Sequence, residues 1–412
     1  MIYDYQRILS LRLLVWSVAS ILAGMVLLAT GALFWRGFGL QALAWGVIDV
    51  LIGGLGLRAA LARIDLPFDL NQQGKDARRL KTLLWVNTVL DVLYIALGWR
   101  LATTWSHGNP FWVGSGWGIV LQGGFLFVFD LLHALAIPRE RFMPRLGLFP
   151  SPRHAAFTLE GGKGAVLMVH GFPHSPDEMR PLAEALNQRG WTTRSMLLPG
   201  FGPQFDQLFQ QRYPGWVRAI NSELQTLKKD HQPVVLLGFS LGGGLSLLAA
   251  GKQAPDQLIL VAPFWWESNR LKDAAYLLAR LVMPMDIGLN QKALFRLQRA
   301  AESAGIALQG ELPEDGVKQA IHNMRVPLIF VEQFLRFSNH IRGAAGSVTS
   351  AVVIIQGQSD ETVLPRRTRQ LASWLPPGAR LIEIPGDHFF IQRGNPHLPE
   401  LIETVAQNLV EQ

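Results

Sequence analysis

The sequence predicts two architectures in one chain. The first is an all-α transmembrane four-helix bundle, and the second is an α/β region in which a doubly wound, mostly parallel sheet carries a helical cap. Four long apolar segments precede Pro138, and after Pro150 short aliphatic runs alternate with helical patterns. This alternation pauses between about residues 265 and 347. At 412 residues the chain has room for two domains, which we place at 1–145 and 155–412.

The first apolar segment, LLVWSVASILAGMVLLATGALFW, places 23 uncharged residues between Arg12 and Arg36. About 20 apolar residues cross a bilayer. Three further runs follow, at about 37–57, 82–99 and 111–137. The first segment has a signal peptide as its alternative interpretation. Its core is longer than such a peptide needs and more apolar segments follow directly, which favours a true span.

Basic residues concentrate in the connections at one end of the predicted bundle. They precede the first span, separate the second from the third and follow the fourth; they are Arg7, Arg12, Arg58, Arg63, Lys75, Arg78, Arg79, Lys81, Arg139, Arg141, Arg145 and Arg153. The other two connections offer only Arg36 and Arg100. The positive-inside rule therefore predicts a multi-pass membrane protein with both termini and the α/β region in the cytoplasm.

Three carboxylates, Asp49, Asp91 and Asp130, lie within the predicted spans. Asn87 shares a helix face with Asp91, as His133 does with Asp130. One interpretation is a small polar site within the bundle. The other is interhelical hydrogen bonding, which is favoured because no transport or redox motif accompanies these residues.

Composition excludes several other functions. The chain has no cysteine, hence neither disulfides nor a zinc–thiolate site. Its net charge of +7 forms no continuous basic stripe, which argues against nucleic acid as a partner. Neither an HExxH pattern nor a phosphate-binding loop occurs, so we expect no metal and no cofactor. The oligomeric state is left open.

The α/β region begins with AVLMVHGF and continues through helical and aliphatic segments to QLILVAP, which ends at Pro263. It resumes with AVVIIQG, RLIEIPG and a final helix from about Pro399. Strands that are apolar on both faces and separated by helices are typical of a parallel sheet covered on both sides. The segment of about 265–347 is mostly apolar with helical patterns, which predicts a cap inserted between two strands.

The stretch VVLLGFSLGG places Ser240 between Gly238 and Gly242, at the point where a strand ends and a helix begins near Leu241. A serine in such an elbow adopts a strained backbone, and small flanking residues let neighbouring elements approach. The helix N-terminus would favour negative charge at the same point. The alternative is a tight glycine turn with an ordinary serine.

Residues 155–412 resemble the α/β-hydrolase fold, in particular the carboxylesterase and monoacylglycerol-lipase-like serine hydrolases. The resemblance is carried by His170-Gly171-Phe172, by SPDEMRPLAEAL, LPGFG and GFSLGG, and by GQSDETV and GDHFF. It extends to neither the N-terminal third nor the cap. One departure is Phe201, where relatives often have histidine in a structural loop.

The resemblance implies a catalytic triad in the order serine, acid, histidine. Ser240 would be the nucleophile, His388 the general base and Asp360 the acid that orients the imidazole. The backbone N–H groups of Phe172 and Leu241 would form the oxyanion hole. Non-catalytic alternatives are a turn-capping role for His388 and a helix N-cap role for Asp360. Asp387 or Glu361 could also be the acid in place of Asp360.

Other residues are candidates for shaping or lining the site. His170 is expected to shape the oxyanion loop. His174 lines the entrance or is a surface residue. Phe264 and Trp265, in PFWWES, start a cap whose apolar side chains suit an acyl-chain pocket, although packing of the cap on the core explains most such residues equally well.

Acyl transfer to water through a Ser240 ester is the chemistry implied, and a serine nucleophile makes epoxide or haloalkane hydrolysis improbable. Location at a membrane favours a lipid-like acyl ester, with membrane lipids as partners. Thioesterase, acyltransferase or peptidase activity with the same triad is an alternative. A membrane sensor or transport bundle with an accessory hydrolase domain is another.

Overall fold

The computed structural model describes residues 2–63, 70–137, 149, 151–267, 286–288 and 325–410. These residues fall into two compact units, an all-helical one that ends by Ile137 and an α/β one that includes Phe149 and the residues after it. The predicted four-helix region and the predicted mostly parallel α/β sheet are both confirmed. Much of the predicted cap, including residues 274–285 and 292–298, lies outside the described residues.

The helical unit consists of four long helices: α1 (Ile2–Ala29), α2 (Leu33–Leu61), α3 (Leu70–Arg100) and α4 (Pro110–Ala136). A π-helical turn, Leu101–Trp105, continues α3. All four have the length and apolar composition needed to cross a membrane. Many of their large apolar side chains point outward, among them Leu55 at 68% and Leu135 at 67% exposure.

Glycines set the closest approach between these helices. A Cβ on Gly114 of α4 would lie 2.0 Å from the carbonyl oxygen of Phe34, and one on Gly37 of α2 would lie 2.0 Å from that of Phe111. The backbones therefore touch where α2 and α4 begin. Small residues permit such close contacts between apolar helices.

Polar side chains bridge α1 and α4. Trp16 Nε1 donates to Gln122 Oε1 at 2.9 Å, and Arg12 lies 3.2 Å from Nε2 of His133. These contacts support the interhelical interpretation for His133. Asp49, Asp91 and Asp130 are all buried, and within the described residues one oxygen each of Asp49 and Asp91 has no hydrogen-bond partner.

The α/β unit is built on a seven-stranded sheet in the order β1-β3-β2-β4-β5-β8-β9. The strands are β1 (Phe157–Leu159), β2 (Ala165–Val169), β3 (Thr192–Met196), β4 (Val234–Phe239), β5 (Gln257–Val261), β6 (Asp286–Gly288), β7 (Arg325–Pro327), β8 (Ala351–Gly357) and β9 (Arg380–Ile384). Only β1 is antiparallel to its neighbour in the large sheet. β6 and β7 form a separate antiparallel pair within the region predicted as mostly helical.

Helices cover both faces of the sheet. They are α5 (Arg180–Asn187), α6 (Tyr213–Asp230), α7 (Leu241–Ala250), α8 (Leu328–Ser347), α9 (Pro365–Ala372) and α10 (Leu398–Gln407), with short 3₁₀ turns at Pro152–His154, Pro176–Met179 and Gly202–Gln210. Strands β2, β4 and β5 are buried along their whole length. Alternate residues of these strands enter two apolar cores, one on each face, as expected for a doubly wound sheet.

The contact between α2 and α4 gives a stability prediction. Gly114→Ala should destabilise the protein by about 1–3 kcal/mol, because the added methyl would overlap the Phe34 carbonyl and push the helices apart. Gly124→Ala, on the same helix with open space around the new methyl, is the matched control and should be neutral or slightly stabilising. Thermal unfolding in detergent measures both, and equal midpoints would contradict the packing argument.

Candidate active site

Ser240 sits at a sharp turn between β4 and α7, with backbone angles of φ 51° and ψ −118°. A positive φ is unfavourable for a residue with a Cβ, so the surroundings must hold it. They do so with three hydrogen bonds: Ser240 N–H donates to Val261 O at 2.9 Å, and Ser240 O accepts from the N–H groups of Phe264 (2.8 Å) and Gly244 (3.2 Å).

The two glycines predicted to flank the turn stand where no side chain fits. A Cβ on Gly238 would lie 2.4 Å from Gly242 O, and one on Gly242 would lie 2.3 Å from Val169 O. Both contacts are with backbone atoms, which cannot rotate away. The tight turn therefore depends on glycine at both positions.

The structure brings together the three residues predicted as a triad. His388 Nε2 lies 3.0 Å from Ser240 Oγ, and His388 Nδ1 lies 2.7 Å from Asp360 Oδ2. All three are at least nine-tenths buried. Because a carboxylate only accepts, Nδ1 carries the proton toward Asp360, which leaves Nε2 of the neutral imidazole free to accept the serine proton.

Asp360 is held by donors on both carboxylate oxygens. Oδ1 accepts from the backbone N–H groups of Thr362 (2.8 Å) and Val363 (2.7 Å), and Oδ2 accepts from Gln356 Nε2 at 3.2 Å. The helix N-cap alternative for Asp360 is wrong, because Leu364 occupies the N-cap position of α9, and Asp360 instead bonds to the turn before that helix and to His388.

Neither Asp387 nor Glu361 takes the place of Asp360 as the acid. Asp387 accepts from the backbone N–H of Phe389 at 2.9 Å, and Glu361 is exposed.

Sequence reasoning missed Gln356. It is fully buried and bonds to Asp360, to two backbone carbonyls and to the Thr368 hydroxyl. The available signal was one amide side chain in the otherwise aliphatic run AVVIIQ.

The two predicted oxyanion donors flank Ser240 on different segments. Leu241 is the first residue of α7, so its N–H has no acceptor within the helix. Phe172 follows Gly171, and a Cβ on Gly171 would lie 3.2 Å from Ser240 Cβ. The 171–172 backbone therefore lies against the serine.

His170 shapes this segment rather than reaching the serine. Its Nδ1 lies 2.9 Å from Gly171 O, which can only accept, and its Nε2 accepts from Leu198 N–H at 3.3 Å. Both contacts require the neutral tautomer protonated on Nδ1. Complete burial lowers the pKa of His170 to about 4, which agrees with the neutral form.

His174 is not a surface residue, so that alternative is wrong. It is 5% exposed, and its Nε2 lies 3.4 Å from Oε1 of Glu178, whose side chain is buried. Sequence reasoning missed Glu178, although the pattern HSPDE places the two residues four apart.

An aromatic group lies beside the oxyanion segment. Phe172 contacts Phe330 and Phe334 of α8, and Phe334 also contacts Phe264 and Trp266. Trp265 behaves differently. Its ring packs on Trp374 and its Nε1 donates to Arg367 O at 3.3 Å, contacts that favour core packing over a place in the substrate site.

The sheet order, the strand–serine–helix turn and the Ser–His–Asp arrangement together define an α/β hydrolase. The family model Hydrolase_4, described as "Serine aminopeptidase, S33", matches residues 161–386, more than half of the chain, and the chain belongs to this family. Residues 12–131 match a second model, DUF6992, a family of unknown function.

Individual relatives are similar over shorter stretches. A thermostable monoacylglycerol lipase of Bacillus sp. (strain H-257) is 36% identical over 100 residues, covering 24% of this chain and 40% of the lipase. A carboxylesterase of Bacillus subtilis (strain 168) is 33% identical over 92 residues, covering 22% and 37%. The aligned stretches thus span less than half of either relative. The solved Paleococcus ferrophilus monoacylglycerol lipase, 18% identical, covers 61% of this chain and 96% of its own, with a TM-score of 0.43.

The environment of Asp360 predicts a pH-dependent variant. Gln356→Glu places a second carboxyl against Asp360 Oδ2, and burial and repulsion should raise the pKa of the introduced group above its unfolded value of about 4.3. The folded variant then binds more protons than the unfolded one, so its stability falls as pH rises. Relative to wild type, the variant should lose free energy of unfolding at both pH values. This loss should be about 2 kcal/mol larger at pH 8 than at pH 5.

The control for this variant is Gln370→Glu on the exposed face of α9, which should lose almost nothing at either pH. Thermal midpoints at the two pH values provide the measurement. A loss in Gln356→Glu that does not change with pH would refute the assigned contact.

Proposed function

We propose that this chain is a membrane-tethered serine hydrolase that cleaves carboxylic esters through an acyl-enzyme. The observation that carries the proposal is the buried hydrogen-bonded chain from Ser240 through His388 to Asp360 at a strained turn. Membership of the hydrolase family and similarity to a monoacylglycerol lipase and a carboxylesterase support an esterase- or lipase-like activity.

In the first half-reaction Ser240 Oγ attacks the ester carbonyl carbon while its proton passes to His388 Nε2. The carbonyl oxygen becomes an oxyanion, which the N–H groups of Phe172 and Leu241 would stabilise. Collapse of this intermediate breaks the bond to the alcohol, which leaves with the proton from Nε2. Asp360 stabilises the transient imidazolium and keeps its ring oriented.

In the second half-reaction water takes the place of the alcohol. His388 removes a proton from the water, which attacks the acyl carbonyl and releases the acid, and the proton returns to Ser240. Each step uses the same two hydrogen bonds and the same oxyanion donors.

The aromatic group formed by Phe172, Phe264, Trp266, Phe330 and Phe334 supports an acyl chain as the substrate group bound next to the serine. These rings offer apolar surface beside the oxyanion segment, and Trp266 is 36% exposed. Apolar walls with few polar groups are typical of ligand sites. We therefore propose a lipid-like acyl ester as substrate.

The four long helices support membrane tethering. Three exposed tryptophans lie near one end of the helices: Trp35 where α2 begins, Trp105 where the π-turn ends and Trp112 where α4 begins. The starts of α2 and α4 adjoin because Gly37 lies against Phe111 and Gly114 against Phe34. The opposite end holds Arg63 and Asp76. Aromatic residues favour membrane interfaces and basic residues favour the cytoplasmic side. We propose that the termini and the α/β unit are cytoplasmic.

A second candidate is amide hydrolysis by the same triad, because the description of the family model names an aminopeptidase. The acyl-enzyme chemistry would be the same, with an amine in place of the alcohol as leaving group. Substrate panels separate the two.

Purified protein should hydrolyse monoacylglycerols and p-nitrophenyl esters of medium or long chain, and a fluorophosphonate should label it. Ser240→Ala should abolish labelling and lower kcat by about 10⁴-fold or more, and Asp360→Asn should lower kcat strongly through loss of the correct tautomer. Ser246→Ala, six residues along α7, is the control and should keep full activity. Hydrolysis of aminoacyl p-nitroanilides alone would favour the peptidase, and neither activity nor labelling would refute the proposal.

The orientation is testable because the chain has no native cysteine. Thr30→Cys, in the exposed turn after α1, should react with a membrane-impermeant maleimide on intact spheroplasts. Gln370→Cys, on the exposed face of α9, should react only after permeabilisation. The reverse pattern, or recovery of the protein in the soluble fraction, would contradict the proposed topology.

A further inference from the structure

A second acid–imidazole pair lies beside the catalytic residues and takes no part in the mechanism above. Glu178, on the turn Pro176–Met179, has a side chain only 2% exposed, and that of His174 is 6% exposed. Glu178 Oε2 accepts from Gly171 N–H at 2.8 Å, and Oε1 lies 3.4 Å from His174 Nε2. In the described part of the chain, Glu178 makes no ion pair with a lysine or arginine.

Gly171 lies between this pair and the serine. A Cβ on Gly171 would be 3.2 Å from Glu178 Oε2 and 3.2 Å from Ser240 Cβ. The glycine therefore leaves room for a carboxyl on one side and for the catalytic turn on the other. A displacement of this segment would change the position of the next residue, Phe172.

The peptide between Gly171 and Phe172 contains the proposed oxyanion donor. Its carbonyl, Gly171 O, accepts from His174 N–H at 3.2 Å and from His170 Nδ1 at 2.9 Å. Since the peptide is planar, fixing its carbonyl fixes the direction of the Phe172 N–H. Glu178 accepts a hydrogen bond from the N–H of Gly171. Both the N–H and the carbonyl of Gly171 are therefore bound.

Resting on the function proposed above, we propose that Glu178 and His174 are positioning residues that hold the oxyanion segment 171–172 in its productive place. Glu178 binds the segment directly. His174 contributes its backbone N–H to Gly171 O, and its imidazole packs 3.4 Å from the second oxygen of Glu178.

The pair is suited to this role in its uncharged form. Burial raises the pKa of Glu178 to about 8 and lowers that of His174 to about 3. At neutral pH Glu178 therefore remains protonated and can accept from Gly171 without a negative charge near the developing oxyanion. Above pH 8 the carboxylate forms, and its charge opposes the oxyanion.

The other titratable groups around the pair keep the same charge between pH 7 and 9.5. The histidines there stay neutral, and the arginines and the aspartate stay charged. The pKa of His154 is lowered by burial and that of His170 is about 4. Arg153 and Arg180 are paired with Asp177, whose pKa they lower. His388, on the other side, is the catalytic base itself. Loss of activity between pH 7 and 9.5 that depends on residue 178 is thus assigned to Glu178.

The test is the pH profile of kcat and KM for a p-nitrophenyl ester, measured with the full chain in detergent from pH 6 to 10. Wild-type kcat should fall as pH rises through about 8. Glu178→Gln keeps an acceptor for Gly171 but cannot ionise, so its kcat at pH 7 should stay within about threefold of wild type and the fall near pH 8 should disappear. Glu178→Ala should lower kcat by about 10- to 100-fold with KM within threefold, because a misplaced donor acts on the transition state.

Glu184→Gln, on the neighbouring α5 with a 46% exposed side chain, is the matched control and should keep the wild-type profile. A fall near pH 8 that persists in Glu178→Gln overturns the proposal, whether or not Glu178→Ala folds. Wild-type kcat in a folded Glu178→Ala overturns it as well. A wild-type protein that is inactive and unlabelled would refute both the proposed function and this inference. If the wild type is active, a persistent fall in Glu178→Gln or a wild-type kcat in Glu178→Ala refutes this inference alone.

Discussion

The geometry of the site depends on one constraint, the close backbone approach around Ser240. The serine can hold φ near 51° because Gly238 and Gly242 leave no side chain between β4, α7 and the end of β2. This places its hydroxyl 3.0 Å from His388 Nε2 and leaves the first N–H of α7 without an intrahelical acceptor beside it. The strain is balanced by three backbone hydrogen bonds and by a sheet that is buried on both faces.

Features with a local cause could be predicted from the sequence. The parallel sheet follows from strands that are apolar on both faces, and the turn at Ser240 follows from glycine spacing after VVLL. Asp360, His388 and Ser240 could be placed near one another because each follows the end of a strand, and such ends share one edge of a parallel sheet.

Features that depend on tertiary contacts were missed or misjudged. In the sequence, Gln356 is one polar residue in an otherwise aliphatic strand. Only the structure shows that its side chain donates a hydrogen bond to Asp360. His174 was open to a surface interpretation because Glu178 lies in a 3₁₀ turn, where a spacing of four residues does not predict a contact as it does in an α-helix. Trp265 and Trp266 are adjacent in sequence, but the first packs on Trp374 and the second on Phe334, contacts that only the tertiary structure reveals.

The hydrogen bonds of Ser240 also connect the catalytic turn to the pairing of neighbouring strands. Its carbonyl accepts from Phe264 N–H and its N–H donates to Val261 O, while the intervening Ala262 donates to Ile355 O of β8. The hydrogen bonds that hold the turn therefore involve β5 directly and β8 through Ala262, although β8 begins at Ala351, far from Ser240 in the sequence. Covalent capture of the hydroxyl by an electrophile would then report that β5 and β8 are paired beside β4.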